Sequence, residues 1–500
     1  MSKMSHQINF GLVVGVGLAL SGLGISASYA QTTPPTGGTA AAPSTTGTPS
    51  VDAGQATTNP SEFLIGNAVS DASSPQYQDV ADAITRFRNN DVSGARELLA
   101  RARQNNQKLP PVEIMMARLW AVSNQLNNFH VELEKAVMTY PDDPDAYLYL
   151  AELALAEHRV TDAESDLMRA KDLIAKYQAN QKRKRNFDIR YNASMAAVAE
   201  ERTQWSEAMP HLEAWLKLDP DNAAAHARMG RALFQMGRPT DAYNEYDAAL
   251  KIDPKSINPY IALAGLYEQT KDRTNAAKSI SYAVQKNPKD LNVHLQAARW
   301  GLATNQLNEA QKYADDALKI DPDSLEGKIL RGIVARMTGD MKTAETRLQA
   351  AVVQAPANID ASNQLALVLI ESPDKDKRDR AAQIAEYNLR ATTQNGRTNP
   401  EVAATYAWVL YKLGKTAEAG QILAQIQQAG NISPDTAFYI AKILEDQDKI
   451  DGAIYVCEKA LESPVPFAQR QATADLLDKL KKKKDAKDKG GSPAPTSDKK

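Results

Sequence analysis

The 500-residue sequence holds one cysteine, Cys457, so neither an intrachain disulfide nor a cysteine-based zinc cluster can form. Aromatic residues are scarce at 6%. Ala, Leu, Gln, Lys and Asp dominate instead, which favours helices and disfavours a β-sandwich. Charge of neither sign prevails: the net charge of −2 gives no global attraction for nucleic acid. Six histidines are scattered, and no two have the HExxH spacing of a zinc site. There is no Gly-x-Ser-x-Gly nucleophile elbow. Leu413–Gly420 imitates the end of a phosphate loop, but Val409 stands where that loop needs its first glycine. The sequence therefore reads as a non-enzyme, with no catalytic, cofactor-binding or metal-ligating residues.

Long apolar runs are also missing, with one exception. Lys3 precedes the Gly-rich run from Phe10 to Ile25, and the small residues Ser26–Ala30 follow. This is the layout of a secretory signal cut after Ala30. The run is 16 residues long, short of the roughly 20 that a membrane span prefers. An uncleaved membrane anchor is the alternative. No cysteine follows the run, which excludes lipidation there. The expected location is periplasmic or secreted, and the absence of disulfides favours a bacterial periplasm. Residues 31–74, rich in Thr, Pro, Gly, Ala and Ser, are expected to be a disordered spacer.

What is present is a period. Pro220, Pro254, Pro288, Pro322 and Pro356 stand 34 residues apart, and the phrase Ala249–Pro254 recurs word for word at Ala317–Pro322. A fixed period of this length means stacked structural units. Within one unit, Met229, Leu233 and Phe234 mark a first amphipathic helix. Gly237 is placed to end it, Thr240 to cap the next, and Ala242, Tyr246, Ala249 and Leu250 mark the second. Asp253-Pro254 closes the unit, because proline cannot continue a helix.

These residues resemble the tetratricopeptide repeat. Its small, Ala, bulky, Ala and Pro positions are supplied by Gly230, Ala242, Tyr246, Ala249 and Pro254, and by Gly332, Ala344, Leu348, Ala351 and Pro356. The resemblance extends over residues 75–465 with eleven starts, at 76, 110, 144, 189, 223, 257, 291, 325, 359, 400 and 434. It implies an all-α, right-handed helix-turn-helix repeat solenoid, the superhelix of that family. A capping helix is expected over 466–484, because the last repeat has no neighbour to cover it. Residues 485–500 are expected to be a disordered Lys-rich tail. The excess residues near 178–188, with Gln181–Arg185 (QKRKR), are expected to be a solvated extension or loop. Residues 371–380 read as an interruption.

The resemblance also implies a function: binding of protein or peptide partners by a scaffold or adaptor. The inward positions of each first helix fall on Arg118, Arg231, Phe234, Asn258, Asn292, Arg299, Arg336, Trp408 and Tyr411. Arginine's planar fork suits carboxylates, so an acidic or polar segment would fit. The bland reading pairs these arginines with glutamates of neighbouring repeats, such as Glu268 or Glu326. The Lys/Asn clamp of one sub-family is missing, because Ala, Ile or Leu fill its positions. His226 and His294 share the fourth repeat position, where the family usually packs. Cys457 falls on a buried core position. The alternative function is an accessory subunit of envelope or exopolysaccharide assembly or secretion, binding polysaccharide or a secretion complex.

Residues 479–500 carry nine lysines against three aspartates. Such a tail could contact an anionic polymer or membrane, or fold back on the acidic body. It has no interleaved aromatics, which argues against nucleic acid.

Overall fold

The computed structural model describes residues 60–393, 398–428 and 432–490. The leader, its cut site and the spacer up to residue 59 lie outside the described residues, as does the tail beyond 490. Every regular element among the described residues is helical, and the chain divides into two compact units at residues 279/280.

The first unit contains α1 (Pro60–Ile65), a 3₁₀ turn (Pro75–Tyr77), α2 (Gln78–Arg88), α3 (Val92–Asn105), α4 (Val112–Val122) and α5 (Leu126–Thr139). It continues with α6 (Pro144–Ala156), α7 (Val160–Lys176), α8 (Gln181–Glu201), α9 (Trp205–Leu218), α10 (Ala223–Gln235), α11 (Pro239–Ile252) and α12 (Pro259–Gln269). Helix α13 (Arg273–Lys286) spans the division. The second unit contains α14 (Leu291–Ala303), α15 (Leu307–Ile320), α16 (Leu325–Met337), α17 (Met341–Gln354), α18 (Ile359–Leu369) and α19 (Lys375–Thr392). It ends with α20 (Pro400–Lys412), α21 (Thr416–Gln428), α22 (Pro434–Asp446), α23 (Ile450–Glu462) and α24 (Arg470–Gly490). From α2/α3 to α10/α11 in the first unit, and from α14/α15 to α22/α23 in the second, consecutive helices form antiparallel pairs, one per repeat start.

The pairing follows from side-chain size. A Cβ added at Gly230 would sit 3.0 Å from the Tyr246 ring, and one at Gly301 would sit 2.8 Å from the Ala310 backbone nitrogen. Ala242, Ala249, Ala310 and Ala317 are buried at these crossings. Helices whose contact residues are this small approach closely, and Tyr246 or Leu348 fills the space between.

The turns have one chemistry. In each pair except α18/α19, a single residue between the two helices takes a positive φ: Asn90, Asn124, His158, Thr203, Gly237, Lys271, Asn305, Gly339, Gly414 or Asp448. This left-handed residue ends the first helix and satisfies its last carbonyls; Gly237 N–H, for example, donates to the Phe234 carbonyl at 2.9 Å. Gly237 thus ends its helix as the spacing predicts. Thr240 is not the cap: α11 already starts at Pro239, whose fixed φ and missing N–H suit a first turn. The odd pair is the one the sequence interrupts. There Asp374 caps a lengthened second helix, accepting from Asp376 N–H at 2.8 Å, and Lys375–Arg380 form its opening turns.

Three boundaries differ from the sequence reading. Residues 60–74 are not spacer, because Leu64, Ile65, Ala68 and Val69 are buried against the first repeats. Gln181–Arg185 are not solvated as a whole: α8 starts at Gln181, and Arg183 is 2% exposed. The last helix starts at Arg470 and runs to Gly490, six residues past Lys484. Lysines 479, 481, 483 and 484 hold it by ion pairs to Glu445, Glu458, Asp448 and Asp451. Among the described residues, no helix is long and apolar enough to cross a membrane.

Candidate functional site

The first helices of the pairs carry the residues singled out by the repeat register, and each unit arranges them differently.

In the first unit, Arg118 is 4% exposed, its donors all engaged within the chain. Its guanidinium donates to Tyr149 Oη (3.0 Å), the Leu64 carbonyl (2.7 Å), Asn67 Oδ1 (3.2 Å) and Asp145 Oδ2 (3.3 Å). Asp145 is wholly buried and also accepts from Arg190 at 2.7 Å and Arg183 at 3.2 Å. Arg183 further takes both oxygens of Asp143 at 2.9 Å, and Arg190 grips Glu152 at 2.8 and 3.0 Å. Three arginines and three carboxylates thus close on one another inside α4, α6 and α8. Burial pushes the Asp145 carboxyl up, but the surrounding guanidiniums outweigh it and hold it at about 2. Burial and the neighbouring Asp145 charge push Asp143 the other way, above its usual value.

Arg231 lies over the Trp205 ring at 5.4 Å, and Phe234 is buried edge-on to Tyr267 at 4.8 Å. Asn258 is the N-cap of α12, accepting from Tyr260 N–H at 3.0 Å. Its amide oxygen is therefore occupied by helix initiation.

In the second unit, Asn292 is exposed at the start of α14. Arg299 pairs with Glu326 of the next repeat at 2.5 Å, which is the bland reading for that arginine. Arg336, Trp408 and Tyr411 are brought together with residues the register did not single out. Trp408 is stacked on Tyr411 (centroids 5.2 Å apart) and on Tyr439 (4.5 Å), with interplanar angles of 20° and 16°. Glu371 accepts from Trp408 Nε1 at 3.3 Å and from Lys412 Nζ at 2.8 Å. At 5% exposure Trp408 is a floor, while Tyr411 and Arg336 keep part of their surface open.

On α16 and α18 hydrogen-bonding capacity is left over. Arg336 Nε, Asn363 Oδ1 and Gln364 Oε1 are buried atoms without a hydrogen-bond partner, whereas the Asp435 carboxylate accepts from the backbone N–H groups of Ala468 and Gln469. Asn363 uses its Nδ2 on Thr405 at 2.9 Å, so its oxygen points elsewhere. Unsatisfied buried polar atoms are few in native proteins, and the neighbouring pair on Asn363 and Gln364 needs a cause.

Carboxylates flank this face. Glu326, Asp360, Glu401 and Asp435 are each the second residue of a first helix, where the helix dipole favours a negative charge. Burial raises the pKa of all four; Arg299 opposes this at Glu326 and Arg336 at Asp435. The face is thus more acidic than the arginine-led register suggests. The periodic acids were visible in the sequence at one repeat position. Tyr439, Glu371, Asn363 and Gln364 gave no such signal, because their gathering depends on how successive pairs rotate.

His226 and His294 are structural. His226 Nε2 and His294 Nε2 sit 3.0 and 3.2 Å from the carbonyls of Pro220 and Pro288, six residues back, tying each first helix to the preceding turn. Cys457 is buried as the register predicts, and burial pushes its thiol up to about 11. Among the described residues, no group of three or more His, Cys, Asp or Glu is placed to hold a metal ion.

Residues 197–267 match the family model of the tetratricopeptide repeat. No curated protein matches the chain. Solved structures with similar architecture include a tetratricopeptide repeat protein from Parabacteroides merdae, 15% identical with a TM-score of 0.40, covering 52% of this chain and 98% of that one. Yeast Tom70 is 16% identical with a TM-score of 0.35, covering 83% of this chain and 99% of its own. YrrB, described as a tetratricopeptide-repeat protein with an unusual peptide-binding site, is 18% identical with a TM-score of 0.26, covering 41% and 97%.

Proposed function

The chain is a tetratricopeptide-repeat protein, and on that premise we propose that it is an exported scaffold or adaptor that binds an extended segment of a protein partner. The binding face is the one formed by first helices α16, α18, α20 and α22. The observation that carries this reading is the set of unpartnered buried atoms on Arg336 of α16 and on Asn363 and Gln364 of α18, in the unit that also holds the Trp408 stack. An extended backbone presents an N–H and a C=O at every residue, about 3.3 Å apart. Side-chain amides on α18, which both donate and accept, suit such a ligand without demanding one sequence. The acids Glu326, Asp360, Glu401 and Asp435 favour a segment carrying Lys or Arg over the acidic segment that the arginines alone suggest.

Export rests on the leader, which a mature N-terminus at Gln31 would establish. A second reading, an accessory subunit of envelope or exopolysaccharide assembly, draws support from the partly open Tyr411 ring and the neighbouring Glu371 carboxylate, an aromatic and an acceptor for sugar hydroxyls.

The test is capture by residues 31–500 from an envelope extract, with Asn363→Leu/Gln364→Leu as the control. These changes leave the Trp408 stack in place. A protein retained at high salt by the parent chain and lost by the double variant supports the adaptor. Retention of a glycan, again lost by the variant, favours the second reading. If both chains capture only anionic polymer, and only at low salt, the Lys-rich tail is the binding element and this face is not.

A further inference from the structure

Two oddities of the sequence, the apolar residues that end the spacer and the basic insertion at the start of α8, meet in the structure. Residues 60–72 lie across the first-helix side of the first unit. Leu64 and Ile65 are fully buried, and Ala68, Val69 and Ala72 nearly so. Three of the polar contacts are made to main-chain carbonyls of the segment, and Arg118 also reaches Asn67 Oδ1 at 3.2 Å. Arg118 of α4 donates to the Leu64 carbonyl at 2.7 Å. Asn180, the N-cap of α8, donates through Nδ2 to the Ala68 carbonyl at 2.7 Å, and Lys182 Nζ donates to the Val69 carbonyl. Asn180 does two jobs, since its Oδ1 accepts from Lys182 and Arg183 N–H to start the helix. The 11-residue excess of this repeat therefore builds a clamp.

Side chains that grip carbonyls, over a floor that takes apolar side chains, are the chemistry of peptide recognition. The gripped segment has the form of a ligand. Helix α1 is six residues long, far below the roughly 12 needed for a helix to hold itself in water. No charged residue lies between Glu62 and Asp71. Its order comes from docking.

We propose that residues 60–72 are a tethered internal ligand occupying a peptide-binding site on α4 and α8. The occupant that replaces it is a segment of another protein with the same chemistry: uncharged, apolar at the places of Leu64, Ile65, Ala68 and Val69, with carbonyls free for Arg118, Asn180 and Lys182. The tether sets the threshold. A covalently linked segment competes at an effective concentration on the order of millimolar, so only a tighter or locally concentrated partner displaces it. This site is in the first unit and stands independently of the face proposed above.

The test starts with the full chain. Amides of Leu64–Val69 should exchange hydrogen at least about 100-fold faster than those of α4 and α8, because the segment opens alone. Exchange of all three together, at one rate, would make the segment part of the folding core and overturn the proposal. The second measurement uses a chain with a protease site placed between Asp71 and Pro75 and cut after folding. A labelled peptide of residues 59–73 should replace the cut segment saturably. Asn180→Asp keeps the helix cap but removes the amide donor, and Lys182→Met removes the ammonium; each should weaken the peptide about tenfold. Failure of the peptide to exchange into the cut, still helical chain would overturn the site. Affinity unchanged from the parent chain in both variants would overturn the clamp.

Discussion

Replacing Asp145 by Asn tests the charge balance inside the first unit. The change keeps size and shape, and it spares the Asp143 cap that starts α6. Three guanidiniums, Arg118, Arg183 and Arg190, face three carboxylates, Asp143, Asp145 and Glu152. Without Asp145, Arg183 keeps Asp143 and Arg190 keeps Glu152, but Arg118 loses its carboxylate and stays buried. Stranding one member of a buried ion pair costs about 3–5 kcal/mol. Each 1.4 kcal/mol is tenfold in an equilibrium, so opening of α4, α6 and α8 should become about 10²- to 4 × 10³-fold more frequent. Hydrogen exchange on the full chain reads this directly. Amides of those helices should speed up by that factor while α16–α20 keep their rates, because a repeat array is stabilised by neighbours. Acceleration below about fivefold, or equal acceleration in both units, would refute the balance. The pH dependence has a definite sign. The folded Asp145 carboxyl is held at about 2, below its ordinary 3.8. Its contribution is therefore complete above about pH 4 and is lost as pH falls toward 2. The Asp145→Asn chain should lack that acid-sensitive component.

Gly301→Ala should destabilise the second unit by roughly 1–3 kcal/mol despite alanine's better helix propensity, because the new Cβ meets the Ala310 backbone at 2.8 Å; urea midpoints check it. Cys457, buried with its thiol raised to about 11, should resist a thiol reagent at pH 8 in the native protein and react on unfolding. Lys479→Gln and Lys483→Gln should each cost under about 1 kcal/mol and less at high salt, since both lysines sit on the surface; a larger, salt-independent loss would mean that α24 is held differently. Gly237→Ala should weaken the α10/α11 turn by about 1 kcal/mol by forcing a Cβ into positive φ, although the surrounding space is open.

The helix-pair fold, its period and its starts were legible in one sequence because each repeat restates the same local constraints. Small residues stand at the crossings, proline closes most units, and an Asn, Asp or Gly often makes the turn. Local chemistry acts over a few residues, so spacing alone reveals it. The position of Cys457 and the Arg299–Glu326 pair followed from that register. The clusters did not. Arg118 fell on an inward position but is sealed inside an ion network, because the long α8 carries Arg183 and Arg190 onto Asp145, about 40 residues earlier in the chain. Residues 60–74 read as spacer by composition, yet four apolar residues found a surface to dock on. The Arg336–Trp408–Asp435 face draws on helices α16, α20 and α22, whose rotation from pair to pair is set by packing. Sequence periodicity decides which residues share a helix face. Which of those faces meet, and which side chains are left without partners, is decided only when the pairs stack.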